Sequence, residues 1–195
     1  MGRTGKIERK TKETDLRVSV DLDGSGQAEV STGVPFFDHM LETLARHGAL
    51  DLVLHCKGDL HIDQHHTVED SGIALGDAID QALGERRGIA RAGHFYFPLD
   101  EALARVVVDL SGRSFLSWNV DLDQGPRSAM DLSVLEGFFK AIADHARCNL
   151  HVDLLRGRDF HHGSEAVFKA MARALRQAVA LDPRVTGVPS TKGVL

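Results

Sequence analysis

The segment Asp63-Gln64-His65-His66-Thr67-Val68-Glu69 returns later in the chain as Asp159-Phe160-His161-His162-Gly163-Ser164-Glu165. Each copy opens a predicted helix, because apolar residues at helical spacing follow it. A random shuffle of this composition would contain one HHxxE pattern in about three sequences per hundred, and two at matching places far more rarely. The repeat therefore indicates a duplicated half-domain.

The signals around each copy come in the same order. Residues 16–22 and 28–30 alternate between apolar and polar side chains around the turn sequence of residues 23–26, which predicts a β-hairpin. A helix and a strand follow, and the motif helix ends the half. The second half repeats this with strands at residues 103–110 and 115–122, a helix at 135–142, a strand at 150–154 and the final helix.

This order predicts an α+β fold of two ββαβα half-domains, with the helices packed on one face of a mixed β-sheet. The first half covers residues 1–92. The second covers residues 93–195 and includes a non-helical C-terminal tail. Together they are expected to form one compact unit.

Composition excludes several classes of protein. The chain has 195 residues, of which 43% are hydrophobic and 26% charged, with a formal net charge of −5. This balance does not favour a nucleic-acid partner. No apolar run approaches the roughly 18 residues that span a bilayer, so we expect no membrane association and a cytoplasmic protein. Cys56 and Cys148 lie at strand-like segments and are predicted to be structural thiols.

Histidine, with 11 copies, points to metal chemistry. On a helix, residues i and i+4 share a face, so His65 with Glu69, and His161 with Glu165, can each hold one cation. The adjacent histidines His66 and His162 lie about 100° around the axis and should serve a different metal.

If the two motif helices face one another, one metal takes His65, Glu69 and His162, and the other takes His161, Glu165 and His66. Imidazole and carboxylate ligands without thiolate suit Mn²⁺ or Fe²⁺, with Zn²⁺ also compatible. Asp63 and Asp159 are predicted either to cap their helices or to orient a ligand imidazole, and capping is favoured.

These motifs, together with Thr32-Gly33-Val34-Pro35-Phe36-Phe37-Asp38-His39-Met40-Leu41 and Pro189-Ser190-Thr191-Lys192-Gly193, resemble the imidazoleglycerol-phosphate dehydratase family. The resemblance runs from Ile7 to Leu195. It implies removal of water from D-erythro-imidazole glycerol phosphate in histidine biosynthesis, with two Mn²⁺ per active site. It also implies a cage of 24 subunits with active sites between subunits.

The resemblance further implies that His39 joins His66, His161 and Glu165 at one metal. At the second metal the sequence departs from the expected symmetry, because strand register places Gly137 opposite His39. His145 is the nearest substitute for the missing ligand. Its counterpart His47 leaves a shared structural role for His145 equally open.

The resemblance also implies roles for the remaining site residues. Glu13 matches a glutamate that moves protons, and Arg91, Arg113, Ser190 and Lys192 match positions that bind phosphate. Lys169 matches a lysine at the site, although a salt bridge to Glu165 would explain it equally well. The catalytic candidates are therefore Glu13, Glu69, Glu165 and Lys169.

Two other functions compete with dehydration. A dinuclear metallohydrolase acting on a small phosphorylated substrate would need metals about 3.5–4 Å apart. A metal-binding module without catalytic activity would need no phosphate-binding arginines.

Overall fold

A computed structural model describes residues 2–125 and 130–195, and it contains two halves with the same order of elements. The first half comprises β1 (Thr4–Lys10), β2 (Thr14–Asp21), β3 (Ala28–Ser31), α1 (Pro35–Gly48), β4 (Asp51–Gly58) and α2 (His65–Leu83). The second half comprises β5 (Ala92–Leu99), β6 (Ala102–Asp109), β7 (Phe115–Asn119), α3 (Leu132–His145), β8 (Asn149–Arg156) and α4 (Phe160–Val179).

Each half forms a mixed sheet of four strands. The strand orders are β1-β2-β4-β3 and β5-β6-β8-β7. The first three strands of each order pair antiparallel, whereas β3 runs parallel to β4 and β7 runs parallel to β8. Alternate residues of β2, such as Leu16, Val18 and Val20, are buried. Each sheet thus has one apolar face, and that face carries the helices.

The four helices lie between the two sheets. Helix α2 packs on β1 and β2 and against α3, while α4 packs on β5 and β6 and against α1. Phe138 lies at the centre of this layer, in ring contact with Phe37 and Phe168. The predicted α+β class, with helices on one face of a mixed sheet in each duplicated half, is confirmed.

Each half has one more strand than predicted, so its order is βββαβα instead of ββαβα. Strand β1 has a single large apolar residue, Ile7, and its edge position leaves most of its side chains partly exposed. An apolar alternation therefore could not reveal it. Strand β5 was missed as well, although its hairpin partner β6 was predicted.

The predicted hairpin between residues 16–22 and 28–30 is wrong, because β3 pairs with β4 and not with β2. Residues 23–26 do form a turn, which is held by the carboxylate of Asp51 accepting hydrogen bonds from the backbone N–H groups of Ser25 and Gln27. Alternation indicates which face of a strand is buried but not which strand is its neighbour. The predicted joining of residues 103–110 to 115–122 as a pair fails for the same reason.

Both motif helices begin where the sequence predicts. Asp63 accepts a hydrogen bond from the backbone N–H of His65 at 2.8 Å, and Asp159 accepts one from that of His162 at 2.8 Å. The capping interpretation is confirmed for Asp159, the N-cap residue of α4, whereas the N-cap residue of α2 is Gln64 and Asp63 lies one position before it. Within the described ranges, none of the helices has the length and apolar character needed to cross a membrane.

Candidate metal centre and active site

Two groups of three candidate metal ligands are assembled among the described residues: one is Asp100, Glu101 and His162, and the other is His39, His161 and Glu165. His39 comes from the first turns of α1, and His161 and Glu165 come from the start of α4, which packs on α1. Their donor atoms all lie within 4.8 Å of one another. The Glu165 Oε2 atom lies 3.2 Å from His161 Nε2 and 3.7 Å from His39 Nε2. Two imidazoles and a carboxylate at this spacing fit a divalent cation.

Glu165 is held as a carboxylate. Burial raises the pKa of its carboxyl group, but the hydrogen bond and charge of Lys169, with the nearby His39 and His161, outweigh burial and lower the pKa overall. The Lys169 ammonium lies 2.7 Å from Oε1, so the salt-bridge interpretation of Lys169 is confirmed. Because Lys169 occupies Oε1, Oε2 is the oxygen that faces the two histidines.

The matching pair in the first half is less complete. His65 Nε2 lies 3.1 Å from Glu69 Oε2, and both side chains are about half exposed. Among the described residues, no third imidazole, carboxylate or thiolate joins this pair closely enough to form a cluster. In the part of the chain that the structure describes, the cluster of His39, His161 and Glu165 thus has only the pair of His65 and Glu69 as its counterpart in the first half.

The two histidines of each motif do not contact the same groups. The ring centroids of His65 and His66 lie 6.0 Å apart, and those of His161 and His162 lie 6.2 Å apart. The two motif helices do not bring these residues together within one chain, because α2 packs on α3 and α4 on α1. The geometry in which two facing helices complete both metal sites is therefore not formed by a single chain.

His66 and His162 instead contact carboxylates of their own halves. His66 Nδ1 lies 3.0 Å from Asp59 Oδ2, and its Nε2 lies 3.7 Å from Glu13 Oε1. His162 Nδ1 lies 2.9 Å from Glu101 Oε2. The hydrogen bond to Asp59 raises the pKa of His66, and that to Glu101 raises the pKa of His162. Sequence analysis missed Asp59 and Glu101.

Gly137 leaves open space where the symmetry of the halves would place a ligand. A Cβ atom built on Gly137 meets nothing within 4 Å. Helix α3 runs alongside α2, with Gly72 close to Phe138 and Gly76 close to His145. Gly137 directly precedes Phe138 on α3 and is partly exposed.

The structure does not bring His145 to this position. Its Nδ1 lies 2.8 Å from Asp77 Oδ1, and Asp77 lies about 18 Å along α2 from His65. The ring of His47, the counterpart of His145, instead packs edge-on against Phe97. His145 therefore contacts the far end of α2, away from His65 and Glu69.

The residues that are predicted to bind phosphate line one cleft of about 620 Å³. Arg113, Ser190 and Lys192 line it together with Arg91. Arg91 donates two hydrogen bonds to Asp109, at 2.7 and 3.0 Å, and a third to the carbonyl of Pro189 at 2.9 Å. Three of its five donors are thus engaged, and one of them fixes the tail. Arg113 and Lys192 are exposed in the cleft.

The two cysteines take no part in either site. Both are free and buried, and burial raises the pKa of Cys56 to about 11 and that of Cys148 to about 12. Their thiols stay protonated near neutral pH, so they are poor metal ligands. The prediction of structural thiols is confirmed.

Comparison with known proteins identifies the family. The family model for imidazoleglycerol-phosphate dehydratase matches residues 32–175. Proteins of that name from Cereibacter sphaeroides and Gluconacetobacter diazotrophicus are 54% and 56% identical over 194 residues, covering 99% of this chain and 100% and 98% of theirs.

Solved structures agree with this match. The imidazoleglycerol-phosphate dehydratase of Staphylococcus aureus superposes with a TM-score of 0.82 at 37% identity, covering 92% of this chain and 99% of that one. The enzyme of Pyrococcus furiosus superposes with a TM-score of 0.81 at 33% identity, covering 97% and 100%. The chain belongs to the imidazoleglycerol-phosphate dehydratase family.

Proposed function

We propose that the protein removes water from D-erythro-imidazole glycerol phosphate to give imidazole acetol phosphate, a step of histidine biosynthesis, with two Mn²⁺ at each active site. Family membership supports the reaction. The observation that carries the metal proposal is the cluster of His39, His161 and Glu165 within 4.8 Å. Nothing observed favours the alternative of a dinuclear hydrolase. As a biosynthetic enzyme, the protein is proposed to act in the cytoplasm.

The reaction breaks a C–O bond and removes a proton from a carbon that is not next to a carbonyl group. The imidazole ring of the substrate must therefore accept the electrons. Divalent cations held at the site would favour the deprotonated form of the substrate imidazole, whose electrons can then expel the neighbouring hydroxyl group. The first cation would be held by His39, His161, Glu165 and His66, and the second by His65, Glu69 and His162.

The protein's own groups supply the proton transfer and the orientation. Glu13 is proposed to take the side-chain proton, and its carboxylate already lies beside His66 Nε2. Lys169 keeps Glu165 ionised and fixes which oxygen faces the histidines. Arg113, Ser190 and Lys192 are proposed to bind the phosphate in their cleft, because a dianion requires several cationic or hydroxyl donors. Arg91 would add a donor while it anchors the tail.

Each active site is proposed to form between subunits. Within one chain His66 lies apart from the cluster of His39, His161 and Glu165, and His162 lies apart from His65 and Glu69. Assembly of several copies would allow each second histidine to reach a first histidine and glutamate of another copy. A closed assembly of 24 subunits, as the family resemblance implies, would repeat this contact by symmetry.

Removal of metal tests the proposed function directly. Protein stripped with a chelator should lose its dehydratase activity, and Mn²⁺ should restore it, with the product identified by the loss of one water and a new carbonyl group. The assembly should also loosen if ligands from different subunits share a metal. Full activity of metal-free protein would contradict the proposal.

The absence of a ligand at Gly137 gives a second prediction, which concerns the affinity of the two metal sites. The second site has three protein ligands on this assignment, so Mn²⁺ titration should show two classes of site that differ about tenfold or more in affinity. Gly137→His should make the Mn²⁺ affinities of the two classes similar, because the space around residue 137 is empty. Lys140→His, an exposed position on the same helix, is the control and should change neither class.

Substitution of the phosphate residues should affect substrate binding. Arg113→Ala and Lys192→Ala should each raise KM about 10- to 150-fold, the equivalent of a charge-assisted hydrogen bond of about 1.5–3 kcal/mol. Metal content should not change. Arg87→Ala removes an exposed guanidinium outside the cleft and should leave KM unaltered. An unchanged KM in both cleft variants would show that the phosphate binds elsewhere.

A further inference from the structure

Each second histidine of the two motifs has a carboxylate on its Nδ1 atom. Asp59 Oδ2 lies 3.0 Å from His66 Nδ1, and Glu101 Oε2 lies 2.9 Å from His162 Nδ1. When the Nδ1–H group donates a hydrogen bond to the carboxylate, the ring exists as the tautomer whose Nε2 lone pair can bind a metal. The second histidine is therefore oriented in the same way in the two halves, but by different carboxylates.

Strand register shows which positions correspond in the two halves. Val18 pairs with Leu54, and Val106 pairs with Val152, so β2 matches β6 and β4 matches β8. Glu13 and Glu101 each directly precede these matched strands, β2 and β6. Glu101 is thus the counterpart of Glu13, the residue predicted to transfer protons, and not of Asp59.

The counterpart of Asp59 in the second half is Arg158. The register of β6 and β8 shifts by one residue at Leu103, which pairs with Arg156, so that Gly157 matches Gly58. Arg158 donates a hydrogen bond to Asp123 at 3.0 Å and forms an ion pair with Asp121 at 3.0 Å, so the second half has a guanidinium and no carboxylate at the position of Asp59. Glu101 reaches His162 from the β5–β6 turn instead.

We infer that Glu101 is a positioning residue for His162, as Asp59 is for His66, and that this division leaves Glu13 free for proton transfer. The inference rests on the proposed metal-dependent function. In the first half, Asp59 takes Nδ1 of His66, and Glu13 lies near Nε2 at 3.7 Å without a short hydrogen bond to the ring. In the second half, Glu101 orients the ring of His162. The two equivalent glutamates, Glu13 and Glu101, therefore have different roles.

The equivalence of Glu13 and Glu101 provides a matched test. Glu101→Ala should weaken binding of Mn²⁺ to the site served by His162 about 10- to 100-fold, measured by equilibrium dialysis on the assembled protein. Asp59→Ala should weaken the other site to a similar degree. Glu101→Gln should retain part of the affinity, because its amide oxygen can still accept from Nδ1.

Glu13→Ala should leave both Mn²⁺ affinities within about twofold while lowering kcat, since a proton-transfer residue acts on substrate and not on the metal. The Glu101 side chain is half exposed, and the unfolding midpoint should confirm that each variant folds. Native Mn²⁺ affinity in Glu101→Ala, or equal losses in Glu13→Ala and Glu101→Ala, would overturn the inference. Wild-type protein that binds Mn²⁺ but does not dehydrate the substrate would instead contradict the proposed function alone.

Discussion

Replacing His66 by alanine is expected to lower kcat/KM at least about 100-fold, since loss of a metal ligand costs more than the loss of a group that only orients one. In the chain, Asp59 contacts Nδ1 of His66 at 3.0 Å, and Glu13 lies 3.7 Å from its Nε2. The cluster of His39, His161 and Glu165 has room for a further ligand if a divalent cation takes four or more. The variant should therefore affect catalysis although His66 lies apart from that cluster in its own chain.

The matched control for this variant is His61→Ala. His61 is exposed in the connection between β4 and α2, a few residues before the motif. Removing its imidazole changes the local charge and composition in a similar way without touching a proposed ligand. Comparable losses in the two variants would assign the effect to the loop and not to the metal.

Replacing Glu13 by glutamine should lower kcat about 10²- to 10⁴-fold, the usual contribution of a general acid or base. Glu13 sits at the tip of the β1–β2 connection with its side chain half exposed, so the fold does not depend on it. Below the tip, the Thr14 hydroxyl donates to Asp70, and Arg9 forms an ion pair with the same carboxylate at 2.5 Å. Because this anchor remains, Glu13→Gln changes the proton acceptor without moving the loop.

The measurement for Glu13 is a comparison of kcat, KM and Mn²⁺ content. Lys12→Gln removes the neighbouring exposed charge and serves as the control. KM and metal content should be close to native in both variants, and only Glu13→Gln should lose kcat. A Glu13→Gln enzyme with native kcat would mean that another group moves the proton.

The helical motifs could be predicted from sequence because their information is local. A repeated HHxxE at the start of an amphipathic helix fixes which side chains share a face, and His161 with Glu165 shows the expected contact. Strand pairing is not local. The parallel partner of β3 is β4, which lies beyond a whole helix, and no pattern within residues 28–30 indicates it.

The completeness of each site could not be predicted for a related reason. Helical spacing grouped His65 with Glu69 and His161 with Glu165, but it could not show that α2 and α4 pack on different partners. Glu101 was missed because an acidic residue in a tight turn is usually a solvated charge. Its signal was the register that matches it to Glu13, and that register is visible only once the strands are paired.

The central claim is that a metal site draws His66 from one subunit and His39, His161 and Glu165 from another. Its most direct test is to mix His66→Ala and His161→Ala subunits, each inactive alone, and reassemble them with Mn²⁺. Random assembly should restore about a quarter of the His39 sites with all their ligands, so activity should reappear in the mixture at about that fraction of native. A mixture that stays as inactive as its two components, although the subunits co-assemble, would contradict a site shared between subunits.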